Sequence, residues 1–119
     1  MNNSELQAIR KLLMLDVREA AEEIGKVSVR SWQYWEAGRS KVPVDIEVEM
    51  NVLLEVRLER MGVIDDQLAA LPEGEKLRLP YYLSFEQYLK ANPGAKKTLW
   101  RMDQGIAALY YTEGRAELI

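Results

Sequence analysis

Within residues 17–38 the chain carries side chains whose chemistry suits the reading of nucleic-acid bases. Arg30, Gln33 and Tyr34 follow Val29 within about one and a half turns of a helix. A guanidinium can bind guanine O6 and N7 together, a side-chain amide can pair with adenine, and apolar groups can contact the thymine methyl. Because a helix would place these positions on one flank, we predict that all four side chains contact bases in the major groove of duplex DNA.

Six further polar or basic side chains flank this segment and suit contacts to backbone phosphates. They are Arg18, Lys26, Ser28, Ser31, Arg39 and Lys41. Basic groups attract phosphate, and the hydroxyls lie near a predicted helix N-terminus, whose N–H groups favour anions. Between positions 26 and 41, four basic side chains stand against one acidic side chain. The alternative interpretation of each residue is a solvated side chain on an exposed surface.

Two short helices joined by a turn are predicted to position these groups. Ser28 is a suitable N-cap for the second helix, and Gly25 can end the first helix with a positive φ. Trp32 and Trp35 lie three residues apart, so a helix places them on one face. We expect both rings to be buried against small residues such as Ala20 in the core. The alternative is that they stack on unpaired bases or on a ligand.

The rest of the chain is also predicted to be helical, from the spacing of its apolar residues and from its capping signals. The expected helices span residues 3–15, 17–25, 29–37, 45–71, 84–91 and 95–112, the fourth with a possible break at Gly62. A stretch at 77–83 has a strand-like composition, but Pro80 excludes a central position in a sheet. The predicted fold class is therefore all-α.

Composition removes several classes of function. The 119 residues include no Cys and no His, which excludes thiolate ligands, disulfides, imidazole bases and nearly every zinc site. We therefore expect no enzyme activity, no metal and no cofactor. The first residues resemble no secretory signal, and no run of apolar residues is long enough to span a bilayer. A cytoplasmic protein is the expectation.

The net charge of −3 leaves a second class of function open. Residues 1–45 balance seven basic against seven acidic side chains, so the acidic excess lies in the remainder of the chain. A small basic patch can still hold a few phosphates, with steep dependence on salt. The alternative is a protein-interaction module, or an antitoxin-like adaptor, that uses the same fold with little affinity for DNA.

Aromatic residues concentrate in the last 39 positions, which hold five of the six tyrosines. The candidates for a dimer interface are Tyr81, Tyr82, Tyr88, Trp100, Tyr110 and Tyr111. Tyr is favoured at interfaces because a largely apolar ring carries one polar tip. The alternative is that these rings close a small tertiary core. A dimer is favoured because two recognition helices one DNA turn apart would compensate for the weak affinity of one.

The segment 17–38 resembles the helix-turn-helix of the lambda repressor/Cro-type family, the xenobiotic-response-element class of bacterial regulators. The resemblance rests on Ala20-Ala21, Ile24-Gly25 and Trp35-Glu36-Ala37-Gly38. Two departures are visible: the turn at 25–28 is one residue longer than usual, and Val17 stands where Gln is common. Taken whole, the chain resembles the YdiL-like family, which includes anti-CRISPR-associated repressors, through the sequence at 30–36 and its tyrosine-rich second half.

The resemblance implies a repressor-like helix-turn-helix bundle and a helical C-terminal dimerisation part. The DNA-binding domain would span residues 1–71 and include the long helix at 45–71, and the dimerisation region would span 76–119. It also implies a transcriptional regulator, of the repressor type, that binds an inverted repeat as a homodimer.

Overall fold

The computed structural model describes residues 1–119, and most of them lie in six α-helices. These are α1 Asn3–Leu12, α2 Val17–Ala20, α3 Val29–Glu36, α4 Val44–Ala69, α5 Phe85–Ala91 and α6 Lys97–Thr112. Two short strands, β1 Leu77–Leu79 and β2 Ala116–Leu118, complete the secondary structure. The chain forms two compact units, Met1–Glu55 and Val56–Ile119, which are described separately. None of the helices is both long and apolar enough to cross a membrane.

The first unit is a helical bundle in which α1 and α2 pack against α3. Its buried apolar side chains are Leu6, Leu13, Leu15, Ala20, Ala21, Ile24, Trp32, Trp35, Val42, Ile46 and Met50. The N-cap of α1 is Asn2: its side chain accepts from the Glu5 N–H at 2.8 Å, and Glu5 accepts from the Asn2 N–H at 2.7 Å. The helix ends before the predicted Leu15 because Met14 is left-handed, with φ of 64°.

The turn between α2 and α3 contains a wider helical turn than the sequence indicates. After Ala20 the chain makes one π-helical turn, Ala21–Gly25, and the Ala21 carbonyl accepts from the N–H groups of both Lys26 and Val27. A π-turn holds one more residue than an α-turn. The π-turn therefore accommodates the additional residue of the longer turn at 25–28. Ser28 still caps α3, as predicted.

The predicted role of Gly25 is wrong, and Lys26 takes it. Lys26 is the left-handed residue that ends the turn, with φ of 53°, whereas Gly25 has no positive φ. Glycine is needed at position 25 because a Cβ there would lie 2.9 Å from Val27 Cγ2 and 3.1 Å from Trp32 Cε3. The missing side chain therefore lets the buried indole approach the backbone closely.

The long helix α4 begins one residue earlier than predicted and ends two residues earlier. Asp45 lies in its first turn, where an acidic side chain is favourable. The helix passes Gly62 without interruption, so the possible break does not occur. Ile46 and Met50 contribute to the core of the first unit.

The second unit packs α5 and β2 against α6. Ser84 caps α5, accepting from the Gln87 N–H at 3.2 Å. One carbonyl, that of Tyr82, accepts from both Trp100 Nε1 and Gln104 Nε2 at 2.9 Å and ties the chain before α5 to α6. The buried side chains of α6 are Thr98, Trp100, Met102, Gln104, Ile106, Ala107 and Tyr110.

The all-α assignment is wrong in one respect, because β1 and β2 form a two-stranded parallel sheet with Leu77 opposite Ala116 and Leu79 opposite Leu118. Pro80 excludes only a central strand, and a sheet of two strands has no central strand. Pro80 in any case follows the last residue of β1. The protein is mostly helical, with this small sheet in its second unit.

Candidate nucleic-acid interface

Helix α3 divides into a buried face and an accessible face. Trp32 is fully buried and Trp35 is 9% exposed, with ring centroids 5.3 Å apart, so both tryptophans belong to the core as predicted. Arg30 and Gln33 are exposed on the other side of the helix, and Tyr34 is half-buried. The core therefore fixes the rotation of α3 about its axis and leaves its polar flank open to a partner.

A buried ion pair joins α3 to α1. Arg10 donates to Glu36 from Nε at 2.6 Å and from Nη2 at 3.0 Å, and its Nη1 donates to the Leu15 carbonyl at 3.0 Å. Trp32 Nε1 donates to Glu36 Oε2. A bidentate pair with further hydrogen bonds to both partners satisfies charges that would otherwise be costly to bury. Removing either charge would leave the other buried and uncompensated.

Sequence reasoning missed Arg10 and Glu36. A signal for Arg10 was present, because this residue lies four positions after Leu6 and three before Leu13 on the apolar face of α1. A basic side chain at such a position needs a buried acidic partner. No local pattern indicates which carboxylate this is, since Glu36 lies 26 residues away.

Glu36 makes stability sensitive to acid. Burial by itself raises the pKa of Glu36, but the hydrogen bonds from Arg10 and Trp32 and the charge of Arg10 outweigh it and hold the pKa below its ordinary value of 4.5. A carboxyl with a lowered native pKa contributes stability above its unfolded-state pKa and loses it as pH falls through the native pKa. We therefore expect the free energy of unfolding to decrease as the pH is lowered below about 4.5.

Urea titrations of the protein and of Glu36→Gln between about pH 7 and pH 3 would measure this contribution. Glu36→Gln should be less stable at neutral pH, and the difference from the unsubstituted protein should shrink as the pH falls. A constant difference across this range would contradict the role given to the ionised carboxylate.

Ser28 and Ser31 lie together at the start of α3. The Ser28 Oγ accepts from the Ser31 N–H at 3.2 Å and lies 3.1 Å from the Ser31 Oγ. Ser28 is exposed, and Ser31 is half-buried. One hydroxyl is thus committed to capping, but both lie beside the free N–H groups of the first turn, which favour anions.

Arg39, three residues beyond the end of α3, packs on Tyr34 in the last turn of the helix. The guanidinium carbon of Arg39 lies 4.9 Å from the centroid of the Tyr34 ring. The N–H groups of Arg39 and Ser40 both donate to the Tyr34 carbonyl, at 2.9 and 3.2 Å, and Gly38 has the positive φ that turns the chain back. Arg39, a predicted phosphate ligand, therefore stacks on the ring of Tyr34, which is predicted to contact a base.

The remaining predicted phosphate ligands lie on the surface without acidic partners. Arg18, Lys26 and Lys41 are exposed, and none of them forms an ion pair. No hydrogen bond or ion pair joins these three side chains to one another or to the side chains of α3. Basic groups without a partner in the protein remain available to phosphate.

The six aromatic residues predicted at a dimer interface divide into two groups. Tyr88 and Tyr110 are each 2% exposed and Trp100 is also buried, so these three rings lie in the core of the second unit, as the alternative interpretation expected. Tyr81 and Tyr82 are half-buried, and Tyr111 is exposed. The accessible tyrosines are the ones that a second chain can reach.

Comparison with known proteins gives one family and two relatives. A family profile described as Aca2/YdiL-like matches residues 1–119. The chain is 59% identical over 119 residues to the Aca2 repressor of Pectobacterium phage ZF40, covering all of both chains. It is 22% identical over 112 residues to the uncharacterized protein YdiL of Escherichia coli strain K12, covering 93% of each chain.

Proposed function

The chain belongs to the Aca2/YdiL-like family, and from this premise we propose that it is a non-enzymatic repressor that binds an inverted repeat in duplex DNA as a homodimer. The 59% identity to a protein named Aca2 repressor supports a repressor. The observation that best supports DNA recognition is the orientation of α3. Its two tryptophans are buried in the core, while Arg30 and Gln33 remain exposed.

Base recognition is assigned to the accessible flank of α3 lying in the major groove. Arg30 would bind guanine through O6 and N7, and Gln33, about one turn further along, would read adenine. Val29 and Tyr34 would contact a thymine methyl, and the Tyr34 hydroxyl can instead bond a phosphate. The cation–π contact supports this role for Tyr34, because Arg39 restricts the orientation of its ring.

Phosphate contacts would hold the helix in register on the duplex. The proposed ligands are Arg18, Lys26, Ser28, Ser31, Arg39 and Lys41, joined by the N–H groups of the first turn of α3. Such contacts supply affinity and orientation but little sequence information. They also make affinity dependent on salt, because each neutralised phosphate releases counterions.

Dimerisation would provide the second recognition helix. We assign DNA binding to residues 1–71 and chain pairing to residues 76–119, where Tyr81, Tyr82 and Tyr111 remain accessible. Two copies of α3 about 34 Å apart would meet successive major grooves on one side of the duplex. A dimer bound across a promoter would then repress transcription by excluding the polymerase.

Lys26→Gly is expected to weaken DNA binding without destabilising the protein. Lys26 is exposed and left-handed, so glycine fits its backbone at least as well, and the free energy of unfolding should stay within about 1 kcal/mol. The loss of one phosphate contact should lower the slope of log affinity against log salt by about 1. Fluorescence anisotropy at several salt concentrations, with urea denaturation alongside, would measure both effects.

Two control variants distinguish a phosphate contact by Lys26 from a general effect of the protein's net charge. Lys26→Arg should keep the salt slope, and Lys90→Ala, which removes an exposed charge from the second unit, should also leave it unchanged. A Lys26→Gly protein with the original slope would show that this side chain is merely solvated.

A salt titration on duplex DNA separates a DNA-binding repressor from an interaction module. The folded protein should bind labelled duplex at low salt and release it progressively as salt rises. A folded protein that retains no duplex even at low salt would contradict the proposal and favour the adaptor.

A further inference from the structure

The second unit contains a cavity of about 200 Å³ that is partly open to solvent. Its apolar lining comes from Ile64, Leu79, Tyr82, Trp100, Ile106 and Ala107. Partly open, mostly apolar cavities with a few polar groups on the wall are where proteins bind small molecules. The cavity lies within the unit Val56–Ile119 and is large enough to hold a small ligand.

The size and lining of the cavity indicate aromatic rings. An apolar cavity of about 150 Å³ is large enough to take up benzene, so 200 Å³ can hold a ring system somewhat larger than one six-membered ring. Trp100 and Tyr82 line the wall and can pack against a flat ligand by stacking or edge contacts. Aliphatic side chains of Ile64 and Ile106 also face this space.

The polar groups on the wall indicate a ligand without net charge. Asp103 is compensated by Arg60, whose Nη1 lies 2.8 Å from each carboxylate oxygen, and by the Tyr88 hydroxyl at 2.6 Å from Oδ2. Gln104 donates to the Tyr82 carbonyl and accepts from Arg101. The cavity thus presents no unpaired cation to an anionic ligand and no uncompensated carboxylate to a cationic one.

Asp103 Oδ1 keeps an open acceptor position on this wall. The Asp103 Oδ1 accepts only from Arg60, whereas Oδ2 accepts from both Arg60 and Tyr88, and a carboxylate oxygen can accept two bonds. Burial, followed by the hydrogen bond and the charge of Asp103, raises the pKa of Tyr88 to about 12, so its hydroxyl remains a donor at neutral pH. Oδ1 can therefore accept one N–H or O–H from a ligand.

We propose that this cavity binds an uncharged aromatic molecule of one or two fused rings, whose single N–H or O–H donor bonds to Asp103. Indole has this chemistry and approximate size. The site lies wholly within the second unit, and the proposal does not depend on DNA binding.

Indole is a direct probe of the full-length protein by isothermal titration calorimetry and by methyl NMR. We expect saturable binding of one indole per chain, with a dissociation constant of about 0.1–1 mM, and shifts of the Ile106 and Ala107 methyl signals. Benzofuran has the same shape but no donor and should bind at least about fivefold more weakly. Benzoate, which carries a charge, should not bind.

A cavity-filling variant tests the location independently. Ala107→Leu should weaken indole binding at least about tenfold, while Ala91→Leu, at an exposed position on α5, should leave it unchanged. Absence of saturable indole binding to the unsubstituted protein, or methyl shifts confined to other residues, would overturn the site even if Ala107→Leu failed to fold. Equal affinity for indole and benzofuran would overturn the assigned hydrogen bond.

Discussion

Arg30→Ala is expected to remove most of the protein's sequence preference while leaving its fold intact. Arg30 is exposed and forms no ion pair within the protein, so truncation removes nothing that stabilises the first unit. The loss of a bidentate contact to guanine should reduce binding to the selected site by about 1–3 kcal/mol, or roughly 5- to 150-fold. Fluorescence anisotropy should show that the affinity of Arg30→Ala for the specific duplex approaches its affinity for a scrambled duplex.

Two variants distinguish base recognition by Arg30 from simple attraction to phosphate. Arg30→Lys keeps the charge but loses the planar pair of donors, so it should recover general affinity more than specificity. Arg18→Ala removes a proposed phosphate contact and should weaken specific and scrambled duplexes alike. If Arg30→Ala instead weakened both duplexes equally, its role would be that of a phosphate ligand.

Trp32→Ala is expected to lower the free energy of unfolding by about 3–5 kcal/mol. The indole is fully buried, packs against the Trp35 ring and lies directly over Gly25, so its removal leaves a large cavity in the core. The substitution also removes one of the hydrogen bonds to the buried Glu36 carboxylate. Urea denaturation followed by circular dichroism would measure the loss.

The same truncation at the edge of the helix provides the matched control. Tyr34→Ala removes a half-buried ring from α3 and should cost much less stability than Trp32→Ala. Its loss of binding free energy for DNA should exceed its loss of unfolding free energy. Trp35→Ala, at 9% exposure, should resemble Trp32→Ala. Equal losses of stability at Tyr34 and Trp32 would contradict the division of α3 into a core face and a recognition face.

Local signals were sufficient to predict where α2 and α3 begin. Ser28 caps α3 as expected, and Asp16 caps α2 in the same way, because a side-chain oxygen can satisfy the free N–H groups of the first turn whatever the tertiary context. The spacing of Trp32 and Trp35 predicted a buried face for the same reason, since helical periodicity depends only on neighbouring positions. These signals account for the geometry of α3.

Features that depend on distant parts of the chain could not be predicted. The partner of Arg10 lies on another helix, and no local pattern identifies Glu36. The sheet pairs two three-residue strands separated by α5 and α6, too short to show an alternating pattern. The burial of Tyr88 and Tyr110 likewise depends on acceptors, Asp103 and Asp65, supplied by other helices.

The turn before α3 shows where a local rule failed. Glycine is the usual left-handed residue at a helix end, so Gly25 was the expected choice. Close approach of the Trp32 ring determined that position instead, and the left-handed conformation moved to Lys26. A tertiary contact thus overrode the local preference. The residue that became left-handed as a result, Lys26, is itself a proposed phosphate ligand.

Selection of binding sites from a random duplex pool at about 0.1 M salt tests the central claim most directly. Enrichment of an inverted repeat whose half-sites lie about 10 base pairs apart, with two chains bound per duplex, is the predicted result. A folded protein that enriches no sequence would contradict the assignment of α3 as a recognition helix.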